Sequence, residues 1–210
     1  MTLKEAANGL GIYVGTAMTI KAWDDQTYMS IIPQEFDLIT AENSCKMSLI
    51  INSLGDIMTW FDWNFYWETL TGKAEYYDWI MYDYQACDKL FDFAKKNKMH
   101  FRGHAAIWGN VGSTHYTPQF IQDETDPAKI EAFMKNYIQT TVARYKGQGV
   151  SWDVVNEAMD VSSGTGVIRD SVYNKVDDYI CKAFTWAREA DPTALLFYND
   201  FNHATVEGYW

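Results

Sequence analysis

Four groups of polar side chains follow short apolar segments of this chain, and their types are those of acid–base and sugar-binding chemistry. The groups are Glu42–Asn43, His104, Asn156–Glu157 and Asn199–Asp200. A carboxyl group in an aromatic, partly dry pocket is favoured in its protonated form and can act as a general acid near neutral pH. Glu157 is the candidate for this role. By spacing alone, a helix-capping or salt-bridging surface glutamate is an equal alternative.

The elements that must position these groups are helices that alternate with short strands. Apolar patterning, helix caps and Gly or Pro breaks predict strands at 12–18, 38–42, 99–104, 150–156 and 194–198, and helices at 25–34, 82–96, 126–147 and 171–190. A first short helix ends at Gly9, and residues 44–77 show no clear pattern. Alternation of this kind is typical of βαβ units and a parallel sheet.

Two parallel architectures fit the alternation, a doubly wound open sheet and an eight-stranded barrel. No glycine-rich phosphate loop follows the first strand, which argues against a nucleotide-binding open sheet. In a barrel, the C-terminal ends of the strands form the active-site face, where the polar groups lie. The sequence therefore predicts an α/β protein of the (β/α)8 TIM-barrel type, incomplete, with about five of the eight βα units present.

Asn156 and Glu157 are neighbours, and this imposes a geometric demand. Side chains alternate between the two faces of a regular strand, so adjacent residues point apart. Both can reach one substrate only where the strand end twists or bulges. We therefore predict an irregular end for this strand.

Charge, hydropathy and cysteine spacing exclude several classes of protein. The formal net charge is −11 with no cluster of Lys and Arg, which argues against a nucleic-acid surface. No apolar run approaches the roughly 18 residues of a membrane span, and the first residues lack the order of a signal peptide, so any export signal would lie upstream. Cys45, Cys87 and Cys181 are far apart, which argues against a disulfide scaffold and a zinc knuckle and leaves the redox compartment open.

Aromatic residues are unusually frequent, with nine Trp, 14 Tyr and 11 Phe in 210 residues, and they concentrate at 60–67. An aromatic stripe is most often part of a core. Exposed rings beside carboxylates and amides also hold sugars, because a ring face stacks on the C–H face of a pyranose.

Four segments carry motifs in a fixed order. Residues 39–46 read ITAENSCK, 103–108 read GHAAIW, 152–157 read WDVVNE and 196–202 read LFYNDFN. In order and rough spacing they resemble the T-x-E-N-x-x-K, G-H-x-x-x-W, W-D-V-V-N-E and Y-N-D-Y-N segments of glycoside hydrolase family 10, the endo-β-1,4-xylanases. The resemblance runs the length of the chain apart from the aromatic-rich region near 50–80.

The resemblance implies a retaining endo-β-1,4-xylanase that needs no metal or organic cofactor and acts on β-1,4-xylan or xylo-oligosaccharides outside the cell. Glu157 would be the acid/base, and Asn156 would hold the sugar 2-hydroxyl. The implied substrate-binding residues are Glu42, Asn43 and Lys46 for the sugar on the non-reducing side, His104 and Trp108 at the cleavage point, and Phe201 in the sugar-binding wall. Taken singly, a core histidine, a core ring and a surface lysine would explain His104, Trp108 and Lys46.

The sequence departs from the family pattern at three sugar-binding positions. Gly109 stands where the family usually has His, Met47 where it has Trp, and Phe201 where it has Tyr. The acid/base segment is unchanged. Substrate preference is therefore less well determined than reaction type, and a cellulase with the same barrel remains an alternative.

A second carboxylate is required for retention, about 5 to 5.5 Å from the first. The family carries it in a T-E-L-D-like segment, and none occurs in these residues. We expect residues 1–210 to be the N-terminal part of a catalytic barrel, with open edges that promote an oligomer. A carbohydrate-binding fragment or pseudoenzyme is the non-catalytic alternative.

Overall fold

The computed structural model describes residues 1–55, 82–109, 116–160 and 167–201, and within these ranges five strands form one parallel sheet. The strands are β1 Gly15–Met18, β2 Leu38–Ala41, β3 His100–Trp108, β4 Val150–Asn156 and β5 Leu195–Asn199. They lie side by side in chain order, and every neighbouring pair is parallel. In a doubly wound sheet the order would reverse at a switch point. The uninterrupted order confirms the α/β class and favours a barrel.

Helices connect the strands and cover one face of the sheet. They are α1 Leu3–Asn8, α2 Gln26–Glu35, α3 Met47–Gly55, α4 Gln85–Lys96, α5 Gln119–Gln122, α6 Pro127–Arg144 and α7 Tyr179–Ala190, with 3₁₀ turns at Ile20–Ala22 and Val172–Lys175. Local sequence explains their starts. Thr2 and Glu5 form a complete capping box on α1, and Asp126 caps α6 ahead of Pro127 at its first turn. No helix in the described ranges is long and apolar enough to cross a bilayer.

Five predicted elements differ from the structure by three residues or more. The helix predicted at 82–96 begins at Gln85, and the helix predicted at 126–147 ends at Arg144. Strand β3 continues to Trp108, because the buried apolar residues Ala105–Ile107 extend the pairing with β4, so His104 lies inside the strand and not at its end. The predicted helix at 171–190 is interrupted, since Asp178 adopts a left-handed φ of 54° and α7 begins after it. Strand β1 starts three residues later than predicted. The aromatic run at 60–67 lies outside the described residues.

Two of the three cysteines pair, which the sequence analysis did not foresee. Cys45, in the turn after β2, forms a disulfide with Cys87 in the first turn of α4, with their Cα atoms 4.9 Å apart. Their separation of 42 residues hides this pairing in the sequence, because only the packing of α4 beside β2 brings them together. Cys181 is exposed and free.

The core lies between the sheet and the helices α4, α6 and α7. Trp152 of β4 is almost fully buried, and it faces Gly103 in the register of β3 and β4. A Cβ atom at Gly103 would lie 2.3 Å from two atoms of the Trp152 ring. A side chain larger than hydrogen therefore has no room at Gly103, and this close packing fixes β3 against β4.

Candidate active site

Glu157 lies directly after β4, and its carboxylate contacts the last residue of β3. The indole Nε1 of Trp108 donates a hydrogen bond to Glu157 Oε2 over 3.1 Å. The carboxylate is only partly exposed to solvent. The structure therefore places Glu157 inside an aromatic contact at the C-terminal edge of the sheet, and not on the outer surface as a helix cap or surface ion pair.

The end of β4 departs from regular strand geometry, as predicted. The register shifts between His104 and Ile107 where β3 meets β4, and between Asp153 and Val155 where β4 meets β5. Glu157 itself has a left-handed φ of 52°, a conformation that non-glycine residues rarely adopt. Its backbone N–H donates to the Asn199 carbonyl over 2.8 Å. The strained residue is the candidate catalyst, which is typical of functional sites.

Lys46 is buried beside the same pair. Its Nζ donates to Asn43 Oδ1 over 2.6 Å and lies 4.6 Å from the centroid of the Trp108 ring. Burial lowers the pKa of Lys46, and the negative charges of Glu42 and Glu157 oppose this shift. A solvated surface lysine is thereby excluded. The ammonium group stands within a cluster of carboxylates, an amide and aromatic rings.

Tyr116 is a member of this cluster that the sequence analysis missed. Its ring stacks on that of Trp108 with centroids 3.8 Å apart and planes 4° from parallel, and Lys46 Nζ lies 4.5 Å from its centroid. Tyr116 belongs to none of the sequence motifs, so no local pattern marks it. The stacked pair presents aromatic surface of the kind that binds sugar rings.

A buried carboxylate orients His104. Asp153 of β4 is almost fully buried, and its Oδ2 lies 2.9 Å from His104 Nδ1. Its Oδ1 accepts from Arg102 Nε at 2.9 Å and from the guanidinium NH2 group. The His104 ring also packs edge-on against Trp108, with centroids 5.7 Å apart. His104 is therefore fixed through Nδ1, and the sequence signal was a charged residue inside an apolar strand.

Asn156 has one satisfied and one unsatisfied polar atom. Its Oδ1 accepts from Asn199 Nδ2 over 2.8 Å, which fixes the orientation of its amide. Its buried Nδ2 has no hydrogen-bond partner among the described residues. Buried donors are nearly always paired, so an unpaired one at a strand end indicates a group that a ligand can satisfy.

Glu42 and Phe201 lie at the margins. Glu42 is exposed after β2 and acts on Lys46 through its charge. Phe201 follows β5. The residue is 39% exposed, and the Arg169 guanidinium lies 5.6 Å from the centroid of its ring. Direct contacts thus connect Asn43, Lys46, Trp108 and Glu157, while Phe201 is joined to Arg169.

Packing against Ser171 explains why position 109 is a glycine. A Cβ atom at this position would lie 2.7 Å from the Cβ and Oγ atoms of Ser171. The segment before Val172–Lys175 therefore occupies the space that a side chain at position 109 would need. Gly109, Ser171 and Lys175 line a cavity of about 240 Å³ together with Thr117 and Asp170. No group of three potential metal ligands occurs within the described ranges.

Residues 2–208 match the sequence model of glycosyl hydrolase family 10. The chain belongs to this family. Endo-1,4-beta-xylanase A of Thermotoga maritima is 34% identical to this chain, and the match covers 90% of this chain and 16% of the relative. Endo-1,4-beta-xylanase B of Thermotoga neapolitana is 30% identical, and the match covers 95% of this chain and 50% of the relative. The chain thus spans half or less of the length of these relatives.

Solved family 10 structures match the fold. Xylanase 10B of Thermotoga petrophila, in complex with xylobiose, has a TM-score of 0.74 and 31% identity over 95% of this chain and 53% of its own. A family 10 endoxylanase from a sugarcane soil metagenome has a TM-score of 0.75 and 28% identity, and the match covers 95% of this chain and 51% of that enzyme. The family and its (β/α)8 barrel, of which five strands are described here, are confirmed.

Proposed function

We propose that the natural full-length protein that carries these residues is a retaining endo-β-1,4-xylanase in which Glu157 is the general acid/base. The contact between Glu157 and Trp108 at the C-terminal edge of the sheet, in a chain of family 10, carries this proposal. The names of the relatives and the xylobiose complex of the Thermotoga petrophila enzyme support the substrate class.

The chain supplies one half of a retaining mechanism. Glu157 would protonate the glycosidic oxygen as the leaving group departs, and would then remove a proton from the water that hydrolyses the glycosyl-enzyme intermediate. A second carboxylate must form that intermediate. We assign it to a segment outside residues 1–210, as in the sequence-based expectation.

The remaining cluster would bind and orient the sugars. The free Nδ2 of Asn156 is a donor for the 2-hydroxyl, and Lys46 and Asn43 offer charged and neutral groups for the sugar on the non-reducing side. His104 and Trp108 would line the cleavage point. Glu42 and Phe201 stay predictions as substrate contacts, since the structure shows one exposed and the other against Arg169.

The disulfide supports an extracellular location. Disulfides persist in oxidising compartments and are rare in the cytosol, and both sulfur-bearing residues here are fully buried. A polymer too large to enter a cell agrees with this. Detection of the native protein with an intact Cys45–Cys87 bridge in culture supernatant would support secretion, and a reduced, cell-retained protein would contradict it.

We also propose that residues 1–210 associate when expressed alone. Strands β1 and β5 each pair with one neighbour in the described sheet, and β5 exposes Leu195, Phe197 and Tyr198. Unpaired strand edges with apolar side chains favour edge-to-edge contacts. Light scattering should show oligomers or aggregates, and a monodisperse monomer that cleaves xylan would refute both the association and the missing second carboxylate.

The substrate assay separates the three candidate functions. The full-length protein should release xylo-oligosaccharides from xylan and leave β-1,4-glucan largely intact. Preferred hydrolysis of the glucan would indicate the cellulase alternative. Binding of xylo-oligosaccharides with no hydrolysis of either polymer would indicate a carbohydrate-binding protein.

A further inference from the structure

The Cys45–Cys87 disulfide lies one residue from the buried lysine of the site. Cys45 and Lys46 belong to the turn at residues 42–46 that joins β2 to α3, while Cys87 belongs to the first turn of α4. Both cysteines are inaccessible to solvent. The bridge therefore connects the site turn directly to a helix that carries no residue of the site.

The turn at 42–46 is held by local hydrogen bonds. The N–H of Lys46 donates to the Asn43 carbonyl over 2.9 Å, and the carbonyl of Lys46 accepts from Leu49 and Ile50 in the first turn of α3. These bonds fix the shape of the turn. They do not fix its position relative to β3, where Trp108 and its neighbours lie.

Helix α4 provides an anchor for the turn. It packs against β2 and β3, and it buries Leu90, Phe91 and Ala94 in the core. Asp88, next to Cys87, receives hydrogen bonds from Arg144 Nε and the Tyr145 hydroxyl, which join α4 to the end of α6. The start of the turn is held by β2 and by the Glu42 N–H, which donates to the Met18 carbonyl of β1, and the covalent bond to α4 holds the other end of the turn against the sheet.

Lys46 needs this placement more than most side chains do. Its four-carbon stem is flexible, yet its Nζ has to meet Asn43 at 2.6 Å and lie over both the Trp108 and Tyr116 rings. A displacement of the order of 1 Å in a substrate-positioning group is enough to reduce turnover strongly.

We infer that the Cys45–Cys87 disulfide is a positioning element for Lys46, and so for sugar binding on the non-reducing side of the cleaved bond. This inference rests on the proposed xylanase function. Its distinguishing consequence is energetic coupling, because an effect that acts through Lys46 disappears when Lys46 is absent.

The test is a double-mutant cycle in the natural full-length protein, assayed on xylo-oligosaccharides well below the unfolding temperature. The Cys45→Ala/Cys87→Ala variant should lose about tenfold in kcat/KM, mainly through KM, and Lys46→Met should lose at least as much. Removing the disulfide in the Lys46→Met background should then change kcat/KM by less than about twofold. Cys181→Ala, at the exposed free cysteine, is the matched control and should behave as wild type.

A purely structural bridge gives a different pattern. It would lower the unfolding temperature in both backgrounds but leave kcat/KM of the disulfide variant within about twofold of wild type. That outcome overturns the inference, and so do equal losses of kcat/KM on removal of the disulfide from wild type and from Lys46→Met. Should the alanine pair fold poorly, Cys45→Val with Cys87→Ala restores part of the core volume for the same cycle. A wild-type protein that neither cleaves nor binds xylo-oligosaccharides overturns the proposed function as well.

Discussion

Replacing Asp153 by asparagine should invert the hydrogen-bonding character of His104. The carboxylate accepts at both oxygens, so His104 carries a proton on Nδ1, and in the neutral form of the ring Nε2 is left as an acceptor. Asparagine keeps the shape but has only one oxygen. That oxygen will stay with Arg102, because a guanidinium can only donate, and the NH₂ group will then face His104. The ring proton moves to Nε2, which becomes a donor.

The expected magnitudes follow from burial. Breaking a buried ion pair by removing one partner costs about 3 to 5 kcal/mol. Asp153 is 2% exposed, but the side chain of Arg102 is 27% exposed and can recover some hydration. We therefore expect the free energy of unfolding to fall by about 3 kcal/mol in Asp153→Ala and by about 1 to 2 kcal/mol in Asp153→Asn, which keeps the hydrogen bonds. With Nε2 as a donor, a sugar hydroxyl bound there has to accept and no longer donates, and this reversal should lower kcat/KM by about ten- to a hundredfold.

Urea unfolding, xylo-oligosaccharide kinetics and ¹⁵N NMR of the imidazole report the three effects separately. Glu131→Gln is the matched control, since Glu131 also pairs with a cation, Lys182, but both side chains are substantially exposed. It should cost at most about 1 kcal/mol and leave kcat/KM unchanged. Unaltered kinetics in Asp153→Asn together with a proton retained on Nδ1 would refute the orienting role of Asp153.

Four further outcomes are expected. Glu157→Gln should slow xylan hydrolysis by about two to four orders of magnitude but spare aryl glycosides with acidic leaving groups, and normal xylan turnover would remove Glu157 from the acid/base role. Trp108→Phe keeps a ring in the stack but deletes the indole donor to Glu157, so it should lower kcat about tenfold. Trp108→Ala should in addition weaken oligosaccharide binding, as measured by titration calorimetry. Gly103→Ala should lower the free energy of unfolding by about 1 to 3 kcal/mol or more, because the new Cβ atom meets a buried indole. In the same urea titration Gly9→Ala should be nearly neutral, since a Cβ atom there lies 3.4 Å from its nearest neighbour, the Ala6 carbonyl oxygen. Burial lowers the pKa of Lys46 below 10.5, so between the lowered pKa and 10.5 the unfolded state binds more protons than the folded state. The free energy of unfolding of wild type should therefore rise with pH over this window relative to that of Lys46→Met. Parallel curves of stability against pH for the two proteins would contradict the pKa shift.

The sequence determined the elements that depend on local patterns. The capping residues Thr2 and Asp126 mark the starts of α1 and α6, and the bounds of β4 were predicted to the residue. Motif order alone indicates family 10, and the match over residues 2–208 confirms it. These signals lie within a few consecutive residues, where caps, periodicity and strand length act.

The adjacency of Asn156 and Glu157 also carried geometric information. A regular strand cannot present both residues on one face, so the sequence alone required an irregularity. Its form was decided by tertiary structure, through register shifts against β3 and β5 and the left-handed φ of Glu157. Pairing with two neighbouring strands sets that geometry, and neither strand is close in sequence.

Only the tertiary structure decided the contacts that complete the site. Asp153 reaches Arg102 and His104 across about 50 residues, Trp108 reaches Glu157 across 49, and Cys45 reaches Cys87 across 42. Each contact depends on strands or helices that lie side by side in the parallel sheet. A charged residue in an apolar strand or a cysteine in a turn indicates that a partner is needed. Local sequence does not show which distant residues lie close in space, because the packing of the βα units determines that.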